Sequence, residues 1–191
     1  MIICKPHNFI FYDIPKTATV SIIHFIKNAG IEIDIKRHNF DPNCECYKEF
    51  FKWTIIRNPY DKILSAWRTT QFRNVRKEIP LGFKPRMQPL NKWLRQLPNI
   101  LETTQYSLLS KATKGHLEDL HLIRFENLIE ELFTLPFMHY FGGKEEFPHM
   151  NKSDKSKNWI KYLDKETEQL IWNKYQEDFE VFGYERYDYL W

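Results

Sequence analysis

The sequence predicts an α/β domain built on a central, mostly parallel sheet with helices on both sides. Apolar segments of strand length alternate along the chain with segments whose apolar residues repeat at helical spacing. The 191 residues are enough for one domain with its own core, and the 42% hydrophobic and 16% aromatic content excludes a disordered chain. Neither an internal repeat nor a convincing linker divides the sequence. We therefore expect a single domain over residues 1–191.

The first third of the chain predicts strands and one helix. Residues 8–14 are apolar and aromatic and end at Pro15, which is typical of a buried strand. Residues 19–29 place their apolar side chains on one helical face, and Gly30 provides the expected C-terminal stop. Apolar and acidic residues alternate over 31–35, which predicts a strand. The apolar run 53–56 predicts a buried strand.

The rest of the chain predicts mostly helices. The spacing of Ile63, Leu64 and Trp67 predicts a helix over 60–74, and three prolines make 79–89 irregular. Asp164 is a suitable N-cap for a final amphipathic helix. Short helices are expected at 90–97, 106–112 and 126–133, a strand at 120–125, a polar loop at 142–157 and the final helix at 164–179.

Charge is unevenly distributed along the chain. The 28 Lys and Arg residues nearly balance the 25 Asp and Glu residues, yet 68–98 contains eight basic residues and a single acidic one, Glu78. We call 68–98 the basic lobe. Such a lobe favours an anionic ligand bound at one place, and the alternative is a solvated basic loop.

Cysteine and histidine usage predicts neither a disulfide framework nor a metal site. Cys44 and Cys46 are one residue closer than in the C-x-x-C pattern of redox and zinc sites, and Cys4 is remote in sequence. Reduced thiols fit this pattern best. No apolar run reaches the roughly 20 residues of a spanning helix, and no secretory signal is recognisable. These features predict a soluble, cytoplasmic protein.

The segment Pro15-Lys16-Thr17-Ala18-Thr19-Val20-Ser21 lies between a predicted strand and a predicted helix. Unpaired N–H groups at a helix N-terminus, together with the helix dipole, attract anions. Lys16 adds a positive charge, and the Thr and Ser hydroxyl groups add donors. The glycine-rich sequence motif of a nucleoside triphosphatase loop is absent. The segment therefore predicts a phosphate site, or else a simple capped junction.

A second cationic segment follows the strand predicted at 53–56. Arg57-Asn58-Pro59 starts the next helix, and Ser65 comes eight residues after Arg57, about two helical turns later. By itself this is a turn and a helix start. Together with the Lys16 segment it indicates a second phosphate contact.

The two segments IPKTATVS and RNPYDKILSAW resemble the nucleotide-binding motifs of sulfotransferases that use 3′-phosphoadenosine 5′-phosphosulfate (PAPS). Two later segments, LIRFENL at 122–128 and HMNKS at 149–153, resemble further parts of the family's carbohydrate-type and bacterial branch. The closing F-G-Y at 182–184 also fits. The resemblance implies a three-layer, P-loop-like fold and transfer of a sulfuryl group to an acceptor hydroxyl, with carbohydrates as preferred acceptors.

The sequence departs from these motifs at three positions. Ala18 stands where the family usually has glycine, Val20 replaces a frequent hydroxyl residue, and Lys62 replaces an arginine. The loss of one neutral hydrogen bond at Val20 costs about 1 kcal/mol, which weakens binding without abolishing it.

The resemblance assigns roles to individual residues. Lys16 would neutralise the leaving oxygen, the loop around Thr17 and Thr19 would hold the 5′-phosphate, and Arg57 with Ser65 would hold the 3′-phosphate. The cofactor-binding set is Pro15, Lys16, Thr17, Ala18, Thr19, Val20, Ser21, Arg57, Ser65, Asn151, Lys152 and Ser153.

A general base and acceptor contacts complete the predicted site. His38 lies between the two motifs, and histidine is a side chain whose unperturbed pKa suits proton acceptance at neutral pH. Asp41 and Glu45 are the alternative bases. His24 is expected to be packed or exposed on the first helix. In the basic lobe we expect Arg76, Lys84 and Arg86 to contact the acceptor.

Two other functions compete with a sulfotransferase. A small P-loop kinase would need a glycine-rich loop and a carboxylate for Mg²⁺, and neither is visible in the sequence. A non-catalytic nucleotide- or nucleic-acid-binding module would use the basic lobe, but a net charge of +3 and the lack of a nucleic-acid motif disfavour it. The expected partners are therefore a nucleotide donor and a glycan or other hydroxyl acceptor.

Overall fold

The computed structural model of the chain describes residues 1–35, 44–78, 88–97, 99–148 and 163–187. These residues form two compact units. The first comprises Met1–Arg57 and Gln105–Lys152, and the second comprises Asn58–Thr104 and Ser153–Trp191. The assignment of 1–191 to one sulfotransferase domain stays a prediction.

The first unit is built on a five-stranded sheet. Its strands are β1 (Ile2–Cys4), β2 (Phe9–Tyr12), β3 (Asp34–Ile35), β4 (Phe51–Ile56) and β5 (His121–Arg124). They lie in the order β3-β1-β2-β4-β5. β2, β4 and β5 are parallel, and β1 is antiparallel to both β2 and β3. Four strands therefore run in one direction, which confirms the predicted mostly parallel α/β sheet.

The helices of the first unit follow β2 and lie on either side of β5 along the chain. They are α1 (Thr19–Asn28), α5 (Gln105–Thr113) and α6 (Leu128–Leu132). Short 3₁₀ turns cover Glu45–Tyr47, Phe125–Asn127, Met138–Tyr140 and Lys144–Glu146.

Aromatic stacking fills the core of the first unit. Phe9 stacks on Phe137, and Phe11 stacks on Trp53, with ring centroids 4.3 Å apart in both pairs. Phe9 and Phe11 are two residues apart on β2, so they lie on the same face of the sheet. Such pairs contribute about 0.5–1.5 kcal/mol each beyond the burial of their apolar area. They fix β2 and β4, the two strands that lead into the predicted phosphate segments.

The second unit is helical in its described part. It contains α2 (Pro59–Glu78), α3 (Leu90–Leu94), α4 (Asn99–Glu102) and α7 (Lys165–Phe182). Tyr60 of α2 donates to Glu168 of α7 at 2.7 Å, and Arg186 binds both oxygens of Glu168 at 2.9 and 3.0 Å. Burial alone would raise the pKa of Glu168, but the hydrogen bonds from Arg186 and Tyr60 outweigh it and lower that pKa.

A buried lysine joins α2 to α7. The side chains of Lys62 and Asp178 are 1% and 0% exposed, and their charged atoms are 4.0 Å apart. The Lys62 ammonium also lies 5.5 Å from the ring centre of Tyr175. Burial lowers the pKa of Lys62 from 10.5 to about 8, although the charge of Asp178 acts in the opposite direction. The Lys62 ammonium group thus carries a desolvation cost that its partner only partly offsets.

Most predicted elements are present, with changed bounds. The helix predicted at 60–74 runs from Pro59 to Glu78, and Asp164 caps α7 by accepting from the Thr167 N–H at 2.7 Å. The strand predicted at 31–35 shrinks to Asp34–Ile35, because only those two residues pair with β1. β1 and α4 were not predicted. Residues 79–87 and 149–157, predicted as loops, lie outside the described residues.

Replacing Lys62 with Met should remove a pH-dependent part of the stability. Above pH 8 the native state releases the Lys62 proton while the unfolded state keeps it, so the unfolded state binds more protons. The free energy of unfolding should therefore rise between about pH 8 and pH 10.5, by at most ~3 kcal/mol for a shift of this size. Urea unfolding across this range should show the rise in the wild type and not in the variant.

The exposed Lys165, at the start of α7, provides the matched control. Lys165→Met should leave the pH dependence of the unfolding free energy unchanged. An equal slope in the wild type and in Lys62→Met would contradict the account of a desolvated ammonium group.

Candidate active site

The candidate site lies where β2 and β4 end. The carboxyl ends of parallel strands meet at one edge of a sheet, which is where α/β proteins bind their ligands. β2 ends at Tyr12 and leads into residues 13–18, and β4 ends at Ile56 and is followed by Arg57. Residues 13–18 and Arg57, all in the first unit, are therefore neighbours.

The Lys16 loop, residues 14–19, is held in an uncommon backbone conformation. Lys16 and Ala18 have φ of 75° and 65°, both in the left-handed region that favours glycine. The hydroxyl groups of Thr17 and Thr19 both donate to the Ile14 carbonyl, at 2.9 and 3.2 Å. The two threonines thus fold the loop back on the end of β2. The positive φ of Ala18 gives a physical reason for glycine at this position in the related motif.

The N-terminus of α1 faces this loop without a side-chain cap. Ala18 is the N-cap residue and makes no capping side-chain hydrogen bond. The first-turn N–H groups have no carbonyl within the helix, so this end carries a partial positive charge. Val20 is 54% exposed in that turn, whereas Ser21 is buried. The sequence prediction of a helix N-terminus beside Lys16 is confirmed.

Arg57 connects the two strand ends. Its Nη1 donates to the Lys16 carbonyl at 3.0 Å, and its guanidinium carbon lies 3.9 Å from the centre of the Phe125 ring. The side chain is only 5% exposed. A buried guanidinium fixed in this way places permanent positive charge beside the loop, because arginine stays protonated at any ordinary pH.

Gln105 fixes the backbone of Arg57. Its side-chain amide donates to the Arg57 carbonyl at 2.8 Å and accepts from the Arg57 N–H at 3.0 Å, and it is fully buried. Sequence reasoning missed both Gln105 and Phe125 as site residues. A single glutamine at a helix start has no periodic or motif signal. Phe125 was recognised as the end of a predicted strand and as part of the LIRFENL segment, but no contact with Arg57 was predicted for it.

Tyr12, at the end of β2, cannot serve as a base. Its side chain is buried, and burial raises the pKa of the phenol, with a smaller contribution from the charge of Asp119. The hydroxyl group therefore stays protonated at neutral pH. Its backbone carbonyl accepts from Thr54 at 2.7 Å, which fixes the end of β2 to β4.

The remaining predicted residues are only partly placed. Pro15 is half-buried in the loop, and Ser65 is half-buried on α2 in the second unit. Glu45 and His24 are exposed, so the expectation for His24 is met. The backbone of Arg76 belongs to α2. The predicted residues outside the described residues are His38, Asp41, Lys84, Arg86, Asn151, Lys152 and Ser153.

Comparison with known proteins identifies the family of the chain. The sequence model of the sulfotransferase family matches residues 1–185, which is nearly the whole chain. The chain belongs to the sulfotransferase family. Neither a curated protein nor a solved structure gives a match. Family membership makes the chain a transferase of sulfuryl groups, with a small-molecule donor and an acceptor.

The described residues add two observations about this sulfotransferase. None of their helices is both long and apolar enough to cross a membrane. Within the same ranges, no three His, Cys, Asp or Glu side chains are grouped so that they could hold a metal ion.

Replacing Ala18 with glycine should stabilise this sulfotransferase. A left-handed residue costs about 1–2 kcal/mol when it carries a Cβ, and the greater freedom of glycine in the unfolded chain returns about 0.5–1 kcal/mol of this. We expect the unfolding free energy to increase by about 0.5–1 kcal/mol in chemical denaturation. Ala112, in the last turn of α5, is the control: Ala112→Gly should lower stability, by at most about 1 kcal/mol. Destabilisation by both substitutions would mean that φ at Ala18 is not strained.

Replacing Gln105 with glutamate should make the free energy of unfolding depend on pH. A carboxylate cannot donate to the Arg57 carbonyl, whereas a protonated carboxyl can, so burial and this contact should raise the pKa of the introduced carboxyl group. The native variant then binds more protons than its unfolded state, and stability should fall as pH rises through that pKa. We expect a loss of about 1–3 kcal/mol near pH 8 that is largely recovered near pH 5.

Gln96 on the exposed surface is the control for this substitution. Gln96→Glu should show no such recovery when urea unfolding is compared at the two pH values. If Gln105→Glu is equally stable at both, the side chain does not make the paired backbone contacts.

Proposed function

We propose that the chain is a PAPS-dependent sulfotransferase that acts on a hydroxyl group, with carbohydrates as the preferred acceptors. The observation that carries this proposal is the contact between Arg57 and the Lys16 loop. It brings together the two segments that resemble the 5′-phosphosulfate and 3′-phosphate motifs. A donor with phosphate at both positions suits two cationic segments at one sheet edge.

The residues present fit an anionic nucleotide donor. The Lys16 loop combines an uncapped helix N-terminus with a lysine, and Arg57 adds a guanidinium beside it. When bound, PAPS supplies an activated sulfuryl group, which moves from a phosphate oxygen to the acceptor oxygen. The chain's part in this reaction is to position the reactants and to stabilise charge, as in phosphoryl transfer.

Lys16 is the residue proposed to neutralise charge on the leaving phosphate oxygen. Its positive φ turns the backbone sharply between the end of β2 and α1, and its carbonyl is fixed by Arg57. A well-placed donor at developing negative charge contributes about 3–4 kcal/mol to transition-state stabilisation. The loop N–H groups, with Thr17 and Thr19, would hold the 5′-phosphate. The hydroxyl groups of Thr17 and Thr19 would first have to exchange their bonds to Ile14.

Arg57 and Ser65 are proposed to bind the 3′-phosphate, and Asn151, Lys152 and Ser153 to cover it. These roles rest on the resemblance of the motifs. A charge-assisted bond from arginine to phosphate is worth about 1.5–3 kcal/mol. Because Arg57 also holds the Lys16 carbonyl, binding at one phosphate would be coupled to the geometry at the other.

His38 is the proposed general base, with Asp41 and Glu45 as alternatives. A base accepts the acceptor proton as its oxygen attacks sulfur, and this help is typically worth 10²–10⁴-fold in rate. Glu45 is exposed at the start of the Glu45–Tyr47 turn, so a substitution there should not disturb the core.

The basic lobe is proposed to select an acidic or already sulfated glycan through Arg76, Lys84 and Arg86. Exposed charges are screened over about 8 Å at physiological ionic strength. The KM for such an acceptor should therefore rise with salt, while that for a neutral acceptor should not. A panel of anionic and neutral glycans and simple alcohols, assayed with labelled PAPS, tests the acceptor class directly.

Binding to immobilised adenosine 3′,5′-bisphosphate tests the donor. The protein should be retained, and free adenosine 3′,5′-bisphosphate should elute it, whereas ATP should not. Elution by ATP alone would favour the kinase alternative. Retention without sulfuryl transfer to any acceptor in the panel would favour a non-catalytic nucleotide-binding module.

Replacing Lys16 with alanine should reduce the rate of sulfuryl transfer at least ~10²-fold, because the lysine acts on charge that develops in the transition state. The exposed Lys27, in the last turn of α1, is the matched control, and Lys27→Ala should retain wild-type turnover. Single-turnover rates and an unfolding curve should be measured for both variants. Near-normal turnover in folded Lys16→Ala would remove this lysine from the mechanism.

A further inference from the structure

A cavity of the first unit lies where β4 and β5 begin, at the edge of the sheet opposite the Lys16 loop. Its volume is about 360 Å³, within the range of about 300–1,000 Å³ that is typical of small-molecule sites. β4 has six residues and a strand rises about 3.3 Å per residue, so roughly 16 Å separates the two ends of the strand. The described lining residues are Lys48, Phe50, Phe51, Lys52, Asp119 and His121.

Aromatic rings form the apolar part of this cavity. The ring centres of Phe51 and His121 are 5.5 Å apart, and Phe50 lies edge-on to Tyr47 at 5.1 Å. Phe50 and Phe51 are half-buried and His121 is exposed, so these rings still present surface to a ligand. Aromatic rings attract one another when their centres are about 4.5–7 Å apart. The lining therefore favours a ligand with an aromatic ring.

The polar part of the lining carries charges of both signs. Lys48 pairs with Glu45 at 3.5 Å on the exposed surface, where such a pair is weak. Lys52 is half-buried, and within the described ranges no carboxylate pairs with its ammonium group. Asp119 adds a carboxylate to the same cavity. The two lysines attract an anionic group, whereas Asp119 attracts a cationic one.

We propose that this cavity binds a small aromatic zwitterion of the class of the aromatic amino acids. A ligand with only negative charge would be repelled by Asp119, and a ligand with only positive charge would be repelled by the two lysines. An aromatic amino acid offers its carboxylate to Lys52, its ammonium group to Asp119 and its ring to Phe51 and His121. This site is separate from the proposed sulfuryl transfer, and its test does not depend on activity.

The test is an NMR titration of the isotope-labelled full chain with L-phenylalanine. Backbone amide signals of residues 48–52 and 119–121 should shift and saturate. The dissociation constant should be about 1 mM, which is ordinary for a ligand of about a dozen non-hydrogen atoms. The absence of shifts in these two segments at concentrations well above that value would overturn the proposal.

Three analogues of phenylalanine separate the contributions of its groups. Phenylpropionate lacks the ammonium group, phenylethylamine lacks the carboxylate, and alanine lacks the ring. Each should bind at least about threefold more weakly than phenylalanine, because each loses one of the three contacts. If phenylpropionate binds as tightly as phenylalanine, the cavity takes an aromatic anion and the zwitterion proposal is wrong.

Two substitutions test the charges of the protein. Lys52→Met and Asp119→Asn should each weaken binding of phenylalanine about threefold or more. Asp119→Asn should not weaken binding of phenylpropionate, and Lys52→Met should not weaken binding of phenylethylamine, because each analogue lacks the group that the lost charge attracts. A merely unfolded variant would lose binding of both analogues, so this crossed pattern distinguishes a lost contact from a lost fold.

The matched controls are two exposed charges on helices of the same unit, Lys111 in α5 and Glu130 in α6. Lys111→Met and Glu130→Gln should bind phenylalanine as tightly as the wild type. Unchanged affinity in folded Lys52→Met and Asp119→Asn would place the amino acid elsewhere on the chain and would overturn the proposal.

Discussion

The contact between the Arg57 guanidinium and the Lys16 carbonyl is the interaction on which the candidate site depends. It joins the segment that follows β2 to the residue that follows β4. Burial raises the free-energy cost of breaking this bond, since an arginine that is 5% exposed cannot replace a lost partner with bulk water. The Phe125 ring and the Gln105 amide hold the same residue from other directions, so the positive charge is fixed before any ligand binds.

The Lys16 loop shows how such a site is built without glycine. Lys16 and Ala18 both occupy the left-handed region, where a residue with a Cβ is disfavoured. The two threonine hydroxyl groups that converge on the Ile14 carbonyl oppose this cost, as does the bond from Arg57. Backbone strain of this kind persists only where the surroundings determine the conformation, and it is common at functional sites. The strain therefore lies at the predicted phosphate site and not at an arbitrary turn.

The sequence was informative where the signal is local. Apolar runs next to Pro15 and Gly30 located β2 and α1, and two short motifs located Lys16 and Arg57. β1 was not predicted, because Ile2–Cys4 is only three residues long and shows no periodicity of its own. Gln105 was not predicted as a site residue, and the burial of Lys62 was not foreseen, because polar residues are usually exposed and only tertiary packing shows that these two are buried. His38 and the basic lobe remain predictions.

The route of the chain shows that the hydrogen bonds of Gln105 to the Arg57 backbone have a role beyond the immediate neighbourhood of Arg57. The chain leaves the first unit after Arg57 and returns to it at Gln105. The two hydrogen bonds between these residues therefore close the excursion of residues 58–104 at its base, within the first unit. Closing a loop of this length costs conformational entropy that grows only slowly with its size, so a buried pair of bonds at its base can offset part of it. Because Arg57 also contacts the Lys16 carbonyl, the same closure that fixes the fold fixes the candidate site.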